Sequence, residues 1–251
     1  MEKDKDSIIL VTCGDSISMP RSFDGIRCGH TYSEIVKKSL QEKYKDKEVF
    51  LFNRALGGES IATLFRIFQT DIQYFGKDGR KILILSAGIV DCALRPIPLW
   101  LKRKIGVMPS VVREPIIKFL HNNRARLFGL GLKWRVTSPG RFKRIYCNIL
   151  AEASKAFSKV YVFTIMPTTK KTEKHSPGLT SSIDLYNSII RDIVSVLALP
   201  NIELIDINEM INEEKYDVED VVNNSDGIHL TVKGHRVFAD KILEREKNEI
   251  L

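Results

Sequence analysis

Ile8-Ile9-Leu10-Val11-Thr12-Cys13-Gly14-Asp15-Ser16 is the stretch on which the reading of this chain turns. Its first six residues are apolar or β-branched, the composition of a buried strand. A glycine, an acid and a serine follow at once, so a hydroxyl lies at the tip of the first strand. Near the other end of the chain stands Asp226-Gly227-Ile228-His229. Serine, histidine and aspartate together supply a nucleophile, a base and an orienting carboxylate, the material for acyl transfer through a serine ester.

Further apolar runs lie at 48–52, 81–86, 160–163 and 202–207, the fourth strand closed by Met166-Pro167. Helical spacing fills the gaps. Ile35, Val36, Leu40 and Tyr44 mark a helix over 32–43. A second, capped by Ser60, carries Ile61, Leu64, Phe65, Ile67, Phe68, Ile72 and Phe75. Others are expected near 141–157, over 182–197 and over 231–245. Strands that are continuous apolar runs, alternating with helices, predict a parallel sheet covered on both faces. Ligands bind such sheets beyond the carboxyl ends of the strands. Ser16, the Gly57-Gly58 pair and Asp91 each follow one of the first three strands, so they are expected on one rim.

A length of 251 residues suits one domain over 1–251. No run approaches the roughly 18 apolar residues of a membrane span. The first six residues are charged with both signs, which is not a secretory leader. Cys13, Cys28, Cys92 and Cys147 form no C-x-x-C pair, and His30, His121 and His175 show no ligand spacing. Reduced thiols, a cytoplasmic location and no metal or other cofactor are therefore expected. The net charge of +8 is concentrated: between Arg95 and Glu152, thirteen Lys and Arg residues face two acids, so the remainder of the chain is net acidic. A localised positive field implies an anionic partner.

Four separated blocks resemble the SGNH (GDSL-type) hydrolase superfamily. They are Gly14-Asp15-Ser16, then Asn53-Arg54-Ala55-Leu56-Gly57-Gly58-Glu59-Ser60, then Ser86-Ala87-Gly88-Ile89-Val90-Asp91, and last Asp226-Gly227-Ile228-His229-Leu230 with Gly234-His235. The resemblance spans nearly the whole chain except 95–140. It implies a three-layer α/β/α sandwich with a central parallel sheet of about five strands, of the SGNH-hydrolase or flavodoxin-like type. It implies Ser16, His229 and Asp226 as the triad, and an oxyanion hole from the N–H groups of Ser16 and Gly58, with Gly57 as the alternative glycine. Asp15, Asn53, Asp91 and Arg95 are the candidate substrate contacts, although Asp15 reads more readily as a loop tie than as part of the chemistry. His235 reads as structural, and Cys13 as strand packing.

The third block departs from the superfamily pattern. Val90 stands where an asparagine usually donates to the oxyanion, and loss of one such donor typically costs about 10²–10³ in rate. Another donor such as Asn53, a preference for a different acyl acceptor, or a weakened site would each account for it. Three functions stay open: an esterase for O-acetyl or related acyl esters of a carbohydrate, an O-acetyltransferase with acetyl-CoA as donor, and a non-catalytic glycan-binding module. The segment 95–140 is expected to form a basic lid or flap. Its mixture of Trp and Leu with Lys and Arg suits packing on the sheet, an anionic glycan, or peripheral contact of 95–144 with a membrane surface. No nucleic-acid recognition motif is present.

Overall fold

The computed structural model describes residues 7–74, 79–213, 216–223 and 226–248. Five strands, β1 (Ile8–Gly14), β2 (Val49–Asn53), β3 (Arg80–Ser86), β4 (Lys159–Phe163) and β5 (Ile202–Ile205), form one sheet in the order β2-β1-β3-β4-β5. All four pairings are parallel. The strand order reverses between β1 and β3, the switch point at which sheets of this type hold their ligands. The register pairs Gly14 with Ser86, so the first and third blocks leave the sheet side by side.

Helices cover both faces. On one, α1 (Tyr32–Lys43) packs against α12 (Val232–Asn248); on the other, α7 (Pro139–Ala156) packs against α2 (Ile61–Asp71) and α9 (Leu179–Leu197). Helix α7 starts at Ser138 with Pro139 in the first turn, where a missing N–H costs nothing. Its buried Phe142, Ile145, Tyr146, Ile149 and Ala153 recur at three- and four-residue spacing, the stripe that fixes its inward face. These side chains join β1, β3 and β4 in a single hydrophobic core. The shorter helices α8 (Lys170–His175), α10 (Ile207–Glu213) and α11 (Val218–Val221) fill the rim.

Three expectations need adjustment. Strand β2 is not covered on both faces: Phe50 and Phe52 are exposed, because β2 is an edge and helices shield one side of it. Helix α2 ends at Asp71 and tightens into a 3₁₀ turn over Ile72–Tyr74; Phe75 lies outside the described residues. Ser60 does occupy the N-cap of α2, but its side chain makes no capping bond. A carboxylate from elsewhere serves this helix end instead: the N–H of Ile61, the first helical residue, donates to Asp91 Oδ2 at 2.9 Å.

The basic segment folds as three helices between the short α3 (Ile89–Cys92) and α7. These are α4 (Leu99–Gly106), α5 (Ser110–Asn122) and α6 (Arg124–Gly129). The backbones of Arg95 and Trp134 pair at its base, Arg95 N–H to Trp134 O at 2.8 Å and Trp134 N–H to Arg95 O at 2.9 Å. Trp100, Val107, Val111, Phe119 and Leu130 are exposed on it. Among the described residues, no helix is long and apolar enough to cross a membrane.

Candidate active site

Strand β1 ends at Gly14, where the chain has no room for a side chain. A Cβ on Gly14 would lie 2.5 Å from the Ser86 carbonyl oxygen and 2.4 Å from Ser18 Oγ. Asp15 then caps a 3₁₀ turn over Ser16–Ser18, accepting from Ile17 N–H at 3.0 Å. Ser18 Oγ is held by Tyr32 Oη at 2.5 Å. The turn leaves Ser16 partly exposed between buried neighbours.

Ser16 Oγ lies 2.8 Å from His229 Nε2, across 213 positions of sequence. His229 Nδ1 lies 2.6 Å from Asp226 Oδ2. With Nδ1–H donating to the carboxylate, Nε2 is the acceptor for the serine hydroxyl, the tautomer a general base requires. Asp226 is fully engaged. Its Oδ1 accepts from the N–H groups of Ile228 (3.1 Å) and His229 (3.2 Å), and its Oδ2 accepts also from Arg21 Nη2 at 3.1 Å. Burial raises the Asp226 pKa, but the bonds from His229 and Ile228 and the charge of Arg21 outweigh it and hold the carboxyl below its ordinary range. The loop behind it is tied from outside: Thr168 Oγ1 donates to Gly227 O at 2.7 Å, and Thr172 Oγ1 to Asp226 O at 3.0 Å.

The family model for GDSL-like Lipase/Acylhydrolase proteins matches residues 12–237, from within β1 into α12. The chain belongs to that family. It is thereby a carboxylic ester hydrolase by class. Solved structures with the same fold include a lipase/acylhydrolase from Enterococcus faecalis (14% identity, TM-score 0.63, 96% of each chain covered). They include the acetyl xylan esterase AlAXEase (20%, 0.59, 94% of this chain and 98% of that one). The acetylxylan esterase Axe2 from Geobacillus stearothermophilus is a third (17%, 0.59, 96% and 95%). At these identities the likeness is one of fold. Comparison with curated sequences gave no match.

The remaining predicted contacts of this acylhydrolase divide. Asp15 is buried, and its pKa is pushed up to about 7, chiefly by burial, with Ile17 N–H pulling it down and Asp91 adding to the rise. It ties the loop and does not face a substrate. Asp91 is fully buried too: Oδ2 takes Ile61 N–H and Oδ1 takes the Thr137 hydroxyl, so it braces three segments in place of the expected substrate contact. Burial, opposed mainly by Thr137, raises its pKa to about 6. Asn53 Nδ2 donates to Ser18 O at 2.9 Å and its Oδ1 accepts from Ala55 N–H at 3.0 Å, which makes it a brace between the second block and the turn carrying Ser16. Val90 is buried among apolar neighbours. Arg95 sits at the base of the helical insertion and is partly buried, not on an open rim. Gly58 has a left-handed backbone (φ +75°) with open space around it, whereas a Cβ on Gly57 would lie 3.8 Å from Ser16 Cβ.

His235 is buried, and its Nδ1 accepts from Tyr32 N–H at 3.3 Å. Burial, with His30 adding to it, lowers its pKa to about 4, so it is neutral and structural. His121 and His175, isolated in sequence, meet with ring centroids 4.8 Å apart. Among the described residues no group of three or more His, Cys, Asp and Glu is placed to hold a metal. Two groups were not foreseen. Arg21, five residues beyond Ser16, also donates to Asp24 Oδ2 at 2.6 Å, and Thr172 buttresses the acid loop. Neither carries a local pattern; only the fold brings them to Asp226.

Proposed function

We propose that this acylhydrolase cleaves O-acetyl or similar short acyl esters of a carbohydrate through an acyl-enzyme on Ser16. One observation carries the mechanism: the Asp226–His229–Ser16 relay, at 2.6 and 2.8 Å, which with Nδ1–H donating to the carboxylate leaves Nε2 to accept the serine proton. Ser16 Oγ attacks the ester carbonyl carbon while its proton moves to His229 Nε2. Asp226 stabilises the imidazolium. Collapse breaks the carbon–oxygen bond to the alcohol, which leaves with the proton from Nε2. Water, deprotonated by His229, then attacks the acyl carbon, releases the carboxylic acid and restores Ser16. Among the described residues the N–H groups of Ser16 and Gly58 have no acceptor in the protein, which suits them to the developing oxyanion. Buried Val90 adds no third donor.

The carbohydrate rests on weaker support: the acetyl xylan esterase neighbours and the basic insertion. Val90 favours a second reading, in which the same acyl-enzyme passes its acetyl group from a donor such as acetyl-CoA to a glycan hydroxyl. Acetylated glycan among the products supports transfer, and free acetate alone supports hydrolysis.

The mechanism is tested by intact mass after treatment with a serine-directed fluorophosphonate. The wild type is expected to gain one adduct, and Ser16→Ala none while keeping its melting temperature and losing turnover of an aryl acetate. An unlabelled, folded wild type would point to a binding module that kept the fold.

A further inference from the structure

The helical insertion forms a half-open pocket of about 280 Å³ that Ser16 does not line. Its apolar wall includes Ile105, Ile117 and Leu120, and its cations are Arg95, Lys102 and Arg124. No acid lines it. Among the described residues none of the three cations makes an ion pair, and the Nε–H groups of Arg95 and Arg124 are buried without a hydrogen-bond partner. Arg124 places one Nη2–H on Leu94 O at 2.6 Å and lies over the Phe128 ring at 5.3 Å, so it has a carbonyl and a ring face but no anion. Asp91, the acid that acts on Arg95, already holds Ile61 N–H and the Thr137 hydroxyl.

Such an arrangement is costly by itself. Unpartnered buried donors lose their hydration without return, and converging like charges repel. Burial lowers the pKa of all three cations, and the charge of Arg95 lowers Lys102 and Arg124 further. An oxyanion removes each of these penalties, since guanidinium groups bind carboxylate and phosphate through paired N–H donors. The apolar wall has no use for a bare, fully hydrated ion. The volume suits a phosphate or carboxylate head with a short apolar tail.

We propose that the cavity under α4–α6 is a second binding site, for a small amphiphilic oxyanion: a phosphate or carboxylate head held by Arg95, Lys102 and Arg124 with a short apolar tail against Ile105, Ile117 and Leu120. The head can belong to a free metabolite or to a lipid at a membrane surface. The site stands apart from the triad, so it is tested on Ser16→Ala by titration calorimetry with hexyl phosphate. Saturable one-to-one binding is expected, at least tenfold weaker in Lys102→Gln and in Arg124→Gln, and absent for hexanol. Lys102 is exposed, so its variant keeps the test sound if Arg124→Gln fails to fold. Flotation with phosphatidylglycerol vesicles separates the sources. Displacement of vesicle-bound protein by hexyl phosphate assigns the site to a lipid head, and absence of vesicle binding assigns it to a free ligand. No saturable binding to the folded protein, equal binding by the Lys102→Gln variant, or equal binding of hexanol would overturn the proposal, whatever the fate of Ser16 in the labelling experiment.

Discussion

Asp226 accepts four hydrogen bonds, and two of them, from His229 and Arg21, fall on the same oxygen. Arg21 fixes the direction of the carboxylate, while its charge draws on the same electron density that steadies an imidazolium. It forks between Asp24 and Asp226, which a lysine ammonium cannot reproduce in the same plane. Arg21→Met is therefore expected to lower kcat about tenfold with KM little changed, and Arg21→Lys to recover only part of it; steady-state kinetics on an aryl acetate check both. The hydrogen-bonded trio of Ser16, His229 and Asp226 was legible in sequence because each member sits in a block at the end of an element. Arg21 was not, since nothing in Met19-Pro20-Arg21 announces a partner 205 positions away.

At the scale of elements, Asp91 carries the most. It joins the end of β3 to the N-terminus of α2 and to Thr137 ahead of α7 through one buried carboxyl. Asp91→Ala leaves Ile61 N–H and the Thr137 hydroxyl buried and unpaired, at roughly 1–3 kcal/mol apiece. We expect a loss of about 2–5 kcal/mol in urea unfolding and weaker activity, because the Gly57-Gly58 loop leads directly into α2. The periodic elements were readable to within about three residues at their ends; α1 spans Tyr32–Lys43 as its apolar spacing predicts, whereas α9 starts three residues before the expected 182. Asp91 was placed on the correct rim but given the wrong task. Its position after β3 follows from topology, whereas its burial depends on Thr137, beyond an insertion whose packing has no periodic signature.

Over the whole molecule, buried titratable groups set opposing responses to pH. Asp15 and Asp91 have pKa values near about 7 and about 6 against an ordinary 3.8, so folding favours their protonated forms. That contribution is full below about pH 4 and is lost as pH rises toward 7. His235, at about 4 against 6.5, does the reverse: its neutral form is favoured, and stability is lost as pH falls from 6.5 to 4. Asp15→Asn cannot ionise, so its stability relative to the wild type should rise between pH 4 and 7, by up to about 4 kcal/mol, and then level. His235→Asn keeps an acceptor for Tyr32 N–H, and its deficit should shrink between pH 6.5 and 4. Thermal melts across that range check both slopes. The charge of the insertion was legible in sequence, but its cavity was not, because three helices must fold together before Arg95, Lys102 and Arg124 share a space.

Gly14 sets a limit on how this enzyme can change. With a backbone carbonyl on one side and Ser18 on the other, the position has no neutral neighbours in sequence space. Any variant must first separate β1 from β3, and that separation moves Ser16. Gly58 is strained for other residues only through its backbone sign and has free volume about it, so asparagine is a conceivable step there. The Gly58 turn is thus where the second block can accept substitution, while the first strand's tip is closed to drift.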